Sequence, residues 1–179
     1  MTTEVLPPPS DYETALKGDD RLELRLWLRL LTCSNLIEGR VRRGLRDRFA
    51  ITLPRFDLLA QLDRAPDGLT LSELSRRLMV SNGNMTGLVE RLVAEGLIES
   101  RPQDDDRRAQ LVRLTAAGKR AFDAMTPTHG AWIAAMFKDL DRRDMAALYA
   151  LLGRLKQGVG ASPETPEPSP RGRKGRPDG

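Results

Sequence analysis

The chain has very few side chains that coordinate metals or form disulfides. Its 179 residues include one cysteine, Cys33, and one histidine, His129. A single cysteine excludes an intrachain disulfide and fits a reducing compartment, and two soft ligands are too few for a zinc cluster. Aromatic residues are also scarce, at 4%.

Long apolar runs are missing too. No stretch approaches the roughly eighteen consecutive apolar residues that indicate a membrane-spanning helix. The N-terminus has neither the basic start nor the apolar segment of a secretory signal. We therefore expect a cytoplasmic protein without a membrane partner. Apolar residues make up 40% of the chain and charged residues 30%, which favours a soluble helical fold with a substantial core.

Enzyme motifs are lacking as well. The sequence has no glycine-rich phosphate loop and no metal-ligand spacing, and His129 has no obvious nucleophile partner. We expect neither an enzyme nor a protein with a cofactor. A net charge of +4 and a pI near 9.6 instead favour a polyanionic partner.

Apolar periodicity and composition divide the chain into five parts. Residues 1–18 are expected to be flexible, 19–53 to form a long helix, 54–115 a lobe of shorter helices and strands, 116–157 further helices, and 158–179 a disordered basic tail. The long helix is apolar on more than one side, which favours packing against a second subunit. Its main stripe is expected to be buried and consists of Leu22, Leu26, Leu30, Cys33, Ile37 and Val41.

Capping residues mark the helices of the lobe over residues 54–115. Thr52 or Leu53 is expected to cap a helix over 54–63. Thr70 and Glu73 form a capping box at the start of the next helix, and Ser81 is the N-cap of a third. The order predicts a helix-turn-helix.

Two strands and a further helix follow. Strands are predicted at 97–101 and 110–114, after Gly96, which is suited to a left-handed helix end. Thr115 is expected to cap the next helix, and Pro127 to kink or interrupt it. A hairpin behind a helix-turn-helix gives a mainly α fold of the winged helix-turn-helix class.

The helix that begins at Ser81 has two unlike faces. One face is apolar, whereas the other carries glycines, amides and hydroxyls that suit a DNA groove. In helix-turn-helix proteins the second helix enters the major groove with its N-terminal residues nearest the bases. The alternative is a surface helix whose glycines are incidental. The expected DNA contacts on this helix are Ser81, Asn82, Asn84, Thr86 and Arg91.

The loop between the two strands carries Arg107 and Arg108 behind three aspartates. A wing of this kind can insert an arginine into the minor groove, where the potential is negative. The alternative is a solvated charge cluster. Between residues 70 and 115, seven arginines are cancelled by seven acidic residues, so DNA binding there must depend on placement rather than on bulk charge.

These segments resemble the MarR family of bacterial transcription regulators. The family's D-R-R-x-x-x-V-x-L-T wing signature is matched by Asp106, Arg107, Arg108, Val112, Leu114 and Thr115. The resemblance covers roughly residues 20–157. It implies an obligate homodimer whose N- and C-terminal dimerisation helices interlock, a pseudo-palindromic double-stranded DNA operator, and a small-molecule effector pocket between those helices and the DNA-binding lobe. It places Arg108 in the minor groove.

A finer similarity is to the branch that controls aromatic-acid catabolism, including the p-coumarate and ferulate regulators. It is carried by the segments around Phe56 and Ser81 and by the pair His129 and Trp132. This similarity implies a repressor released by an aromatic acid or its CoA thioester, whose phosphates the arginines near Arg40 would bind. Alternatively, those arginines contact the DNA backbone or solvent. His129 and Trp132 alternatively pack in the core or in the dimer interface. The predicted pocket comprises Trp27, Cys33, Ile37, Arg40, Phe56, His129 and Trp132.

Two other functions remain open. Cys33 lies on the first helix, as does the reactive cysteine of a peroxide-sensing branch of the same family, and therefore allows a redox sensor. Its expected place among apolar residues argues against this, because buried cysteines are usually inert. The second alternative is a winged-helix module that binds proteins and never reads DNA.

Overall fold

A computed structural model of the protein describes residues 22–102 and 110–161, apart from the side chain of Asn82. The N-terminal stretch, the wing residues Arg107 and Arg108, and the tail beyond residue 161 lie outside the described residues. The described chain is mainly helical with a small antiparallel sheet, as predicted. Its elements are α1 Leu22–Phe49, α2 Leu53–Asp63, β1 Leu69–Thr70, α3 Leu71–Leu78, α4 Asn82–Ala94, β2 Ile98–Pro102, β3 Gln110–Leu114, α5 Ala116–Met136 and α6 Arg142–Ala161.

One hydrophobic core supports the unit that ends at Met136. Each large aliphatic side chain buried there contributes about 1.5–3 kcal/mol relative to exposure. Helix α2 supplies more of the fully buried residues than any other element, so it is the centre on which the helix-turn-helix is packed. The fully buried residues are Leu45, Leu58, Leu59, Leu62, Leu74, Met85, Leu92, Ile98 and Val112.

Capping residues lie where the sequence predicts. Thr52 occupies the N-cap position of α2, which begins at Leu53, although its side chain makes no capping hydrogen bond. At the start of α3, the Glu73 N–H donates to Thr70 Oγ1 at 3.3 Å, and the Thr70 N–H donates to Glu73 Oε2 at 2.8 Å. The capping box is therefore confirmed. The hydrogen bonds that the Thr70 N–H and hydroxyl donate to the carboxylate of Glu73 lower the pKa of Glu73.

The predicted hairpin is confirmed, with its first strand displaced by one residue at each end. Strands β2 and β3 pair antiparallel, with Ser100 opposite Val112. The sheet also has a third strand that the sequence reading missed. Strand β1 pairs with the other edge of β3, with Leu69 opposite Val112. Strand β3 is therefore central and ties the wing to the residues just before α3.

Helix α5 begins in direct backbone contact with the strand region. The hydroxyl of Thr115 donates to the Gly96 carbonyl oxygen at 2.7 Å and accepts from the Gly118 N–H at 3.0 Å, so Thr115 caps the helix as predicted. A Cβ added to Gly118 would lie 1.8 Å from the Leu97 carbonyl oxygen. Only glycine allows this approach.

The predicted interruption at Pro127 is wrong, because α5 is continuous from Ala116 to Met136. A proline removes one backbone hydrogen bond from a helix, but both sides of this one are held by the core. Phe122 and Met125 are buried before it, and Trp132 and Ile133 pack against the core after it. Tertiary packing therefore overrides the local preference.

The predicted burial of the α1 stripe is correct only near its C-terminal end. Val41 is buried, whereas Leu22, Leu26 and Cys33 are exposed within the chain. The reason is that the core reaches only the second half of α1. The α1 residues that contribute to it are Ile37, Val41, Leu45 and Phe49.

Helix α6 belongs to a second unit, which starts at Phe137. It continues to Ala161, four residues beyond the expected helix end at 157. Its large apolar side chains are largely exposed, among them Met145, Tyr149, Leu151, Leu152, Leu155 and Val159. In the described ranges no helix is long and apolar enough to cross a membrane.

Candidate nucleic-acid interface

Helix α4 presents a polar face because its opposite face is fixed in the core. Met85, Val89 and Leu92 are buried, as the periodicity predicts. Ser81 is confirmed as the N-cap, since its hydroxyl oxygen accepts from the Asn84 N–H at 3.4 Å. The opposite face is therefore held outward, and its members include Gly83, Asn84, Thr86, Glu90, Arg91 and Ala94, all of which are exposed.

Two predicted contact residues on α4 differ in how they are placed. Asn84 is exposed one turn into the helix, where an amide can reach the edge of a base. Arg91 extends back along the helix, and its Nε donates to the Gly87 carbonyl oxygen at 2.9 Å. A Cβ on Gly87 would meet only Arg91 Nη2, at 3.9 Å. The guanidinium thus lies beside the glycine on the exposed face.

Ion pairs hold α2 against its neighbours. Arg55, near the start of α2, pairs with Glu95, the C-cap of α4. At the other end of α2, Asp63 pairs with Lys119 of α5 at 3.0 Å. These pairs connect the helix that carries the polar face to the helix that follows the wing. Solvent weakens such exposed pairs, so their role is mainly positional.

The base of the wing is ordered, although its tip lies beyond the described range. Arg113 on β3 donates from Nε to the Asp67 carbonyl oxygen at 2.7 Å. Gly68 has a φ of +95°, and a Cβ there would meet Arg113 Cγ at 2.7 Å. The strand that supports the predicted minor-groove arginine is therefore held by the turn before β1.

Further exposed cations lie near α4 and were not assigned from the sequence. Arg76 and Arg77 occupy the last turn of α3 and are exposed. In helix-turn-helix proteins the first helix crosses the DNA backbone. The position of Arg76 and Arg77 on α3 could therefore have indicated contacts with DNA phosphates. Lysine and arginine at the C-terminal end of a helix also interact favourably with the helix dipole. Sequence alone therefore does not separate phosphate binding from helix stabilisation.

An open groove between α1 and α5 has a volume of about 590 Å³. Two of the predicted effector residues, Arg40 and Trp132, line it. The indole of Trp132 lies so close to Gly44 that a Cβ there would be 2.8 Å from the ring. The groove combines cations, a carboxylate and an aromatic face, with Arg40, Gly44, Asp47, Arg48, Trp132, Ala135 and Met136 as its lining.

The other predicted effector residues are not brought into this groove. Phe56 and His129 contact each other, with ring centroids 4.6 Å apart, and burial lowers the pKa of His129. Ile37 packs against the core. Trp27 is 57% exposed and lies thirteen residues before Arg40 on α1, which is about 20 Å along a helix. One chain therefore does not form the full predicted pocket, and Cys33 is exposed on the same outer part of α1.

Metal-binding side chains are not clustered: the part of the chain that the structure describes has no group of three or more His, Cys, Asp or Glu residues able to hold an ion. The chemistry of this surface is that of hydrogen-bonding and charged side chains presented by a rigid scaffold.

Comparison with known proteins identifies several relatives. The profile of the MarR family matches residues 51–109. The "transcriptional activatory protein BadR" of Rhodopseudomonas palustris is 31% identical over 112 residues, which span 60% of this chain and 63% of BadR. The crystal structure of a MarR family transcriptional regulator from Silicibacter pomeroyi is 33% identical, with a TM-score of 0.67, over 80% of this chain and 99% of that one. A mutant of E. coli MarR complexed with operator DNA is 26% identical, with a TM-score of 0.66, over 77% of this chain and 99% of that one.

Proposed function

Because the chain belongs to the MarR family of DNA-binding transcriptional regulators, we propose that it binds a pseudo-palindromic operator as a homodimer, with α4 of each protomer in the major groove. Membership of a family of regulators also confirms the prediction that the chain is not an enzyme. The observation that carries the proposal is the exposed polar face of α4, fixed from behind by Met85, Val89 and Leu92. E. coli MarR, which has a similar fold, was crystallised with operator DNA.

The residues of the proposed interface have different tasks. We propose that Asn84 and Thr86 select bases, and that Ser81, Asn82 and Arg91 support or extend that contact. On the wing, Arg107 and Arg108 are proposed to reach the minor groove, where arginine recognises groove shape more than base identity. A dimer that binds successive major grooves needs half-sites about 34 Å apart.

Salt dependence tests this proposal directly. We expect the protein to bind a fluorescent duplex from upstream of its own gene, with an affinity that falls steeply as salt rises, because each phosphate contact releases counterions. Arg108→Ala should weaken binding about equally for all duplexes, whereas Asn84→Ala should change the preferred base pairs. If the wild-type protein does not bind that duplex even at low salt, the DNA-binding proposal fails and a protein-interaction module is favoured.

The homodimer is supported by apolar surface that a single chain leaves exposed. Large contiguous apolar patches usually mark interaction surfaces. The first turns of α1 carry Leu22, Leu26 and Trp27 in exposed positions. Helix α6 carries a second set of exposed apolar side chains, which includes Leu151 and Leu155. We propose that these helices cover one another's apolar faces between two copies of the chain.

We further propose that an aromatic acid, of the hydroxycinnamate type, or its CoA thioester is the effector and that its aromatic acyl part enters the groove between α1 and α5. The volume of about 590 Å³ suits one small molecule. Trp132 offers an aromatic face, and Arg40 and Arg48 offer cations for a carboxylate. We propose that exposed arginines near Arg40 on α1, such as Arg43, bind the phosphates of a thioester. Whether the ligand releases a repressor or supports an activator is to be read from the DNA assay.

A thermal-shift screen against aromatic acids and their CoA esters tests the effector proposal. A ligand that binds only the folded state raises the melting temperature in proportion to the logarithm of its concentration. The shift should disappear in Arg40→Gln and Arg48→Gln. With the free aromatic acid, the shift should persist in Arg46→Gln, because Arg46 is an exposed α1 arginine that does not line the groove. Indifference to every such compound would contradict this effector class.

A further inference from the structure

Met79 is an unusual residue in the turn between α3 and α4. Its side chain is 94% exposed, the highest value for a large apolar residue in the described ranges. It is the C-cap of α3 and has a left-handed backbone, with a φ of 54° and a ψ of 38°. Glycine or asparagine usually occupies such a position, because a longer side chain is strained there. The sequence thus has a long apolar side chain where neither burial nor backbone geometry favours one.

The backbone on both sides of Met79 is fixed. Its own N–H and that of Val80 both donate to the Ser75 carbonyl oxygen, and Val80 packs against the core. Ser81 then caps α4. Met79 therefore stands two residues before Ser81, the N-cap at the end of α4 that is nearest the bases in the proposed complex, within about 7 Å of it along the chain.

We propose that Met79 contacts the C5 methyl group of a thymine next to the bases read by α4; this inference rests on the proposed DNA binding. In the major groove, that methyl is the apolar group that a base pair presents. A methionine side chain is flexible and polarisable, so it adapts to an irregular apolar surface. Such a contact removes the exposed side chain from water, and it adds a thymine preference at a position outside the helix itself.

Replacing thymine with deoxyuridine tests this contact, because deoxyuridine pairs in the same way but lacks the methyl group. Binding of wild type and Met79→Ala is measured on the upstream duplex and on the same duplex made with deoxyuridine. On thymine DNA, Met79→Ala should lose about fourfold in affinity per half-site, as expected for one buried methyl-sized contact, and roughly fifteenfold for a dimer. On deoxyuridine DNA the two proteins should bind equally.

Two further variants separate the contact from folding. Met79→Leu keeps an apolar side chain and should retain thymine-dependent binding. Met79→Gly removes the apolar side chain and should bind as weakly as Met79→Ala. Because glycine relieves the left-handed strain, Met79→Gly should melt at a higher temperature than Met79→Ala. An equal loss on both DNAs, or no loss on either, would overturn the thymine contact. If wild type binds neither DNA, the proposed function itself fails.

Discussion

Replacing Gly87 with alanine separates stability from DNA binding. Gly87 lies in the interior of α4, where glycine costs about 1 kcal/mol relative to alanine. The added methyl would meet only Arg91 Nη2, at an ordinary contact distance of 3.9 Å. Gly87→Ala should therefore raise the free energy of unfolding by about 1 kcal/mol, which corresponds to about 2–4 °C in melting temperature.

The same methyl group should weaken binding to DNA. In the proposed complex the backbone at Gly87 faces the floor of the major groove, and Arg91 lies beside it. An overpacked contact typically costs about 1–3 kcal/mol, so we expect the affinity for the upstream duplex to fall by at least about fivefold. Urea denaturation measures the first effect, and fluorescence anisotropy at constant salt measures the second.

Gly130→Ala is the matched control. Gly130 likewise lies inside a helix, α5, where it is exposed, and a Cβ there would have no neighbour within 4 Å. It should bring a similar gain in stability while leaving DNA affinity unchanged. If Gly87→Ala gains stability and binds DNA as tightly as the wild type, α4 does not approach DNA at this residue, and the reasoning about its exposed face is refuted.

Three more predictions concern packing, assembly and pH. Gly118→Ala should lower the free energy of unfolding by about 3 kcal/mol, measured by urea denaturation, because its Cβ would overlap the Leu97 carbonyl group; an unchanged midpoint would contradict the close contact. Trp27→Asp should turn the proposed dimer into a monomer in light scattering without unfolding it, since Trp27 is 57% exposed in one chain; a persistent dimer would exclude this face. Burial lowers the pKa of His129, so the unfolded chain binds a proton at higher pH than the folded one, and stability should fall as pH drops through 6.5 towards the folded pKa. In melts across pH, His129→Phe should lessen that fall, and an unaltered slope would mean that His129 does not cause it.

Features that depend on neighbouring residues were predicted correctly from the sequence. The capping box of Thr70 and Glu73 and the caps at Ser81 and Thr115 each depend on side chains within three residues of the backbone they satisfy. The two faces of α4 follow from helical periodicity alone. Short-range rules therefore gave the order of elements in the helix-turn-helix and its hairpin.

Features that depend on distant residues were missed. Strand β1 has only two residues, too few for an alternating pattern, and it exists because Leu69 pairs with Val112. Helix α5 continues through Pro127 because the core holds both of its halves. The groove likewise requires Trp132 to pack on Gly44, which is 88 positions earlier in the chain. Such contacts leave no local signature.

The packing of Trp132 on Gly44 also gives the groove an optical signal. The chain has two tryptophans, and the other, Trp27, is exposed on the outer part of α1. A Trp27→Phe protein would emit from Trp132 alone. Because that indole lines the groove and touches α1 directly, its emission wavelength and quenching would respond to whatever enters. Occupancy of the groove can therefore be followed in solution without a label, in the presence or absence of DNA.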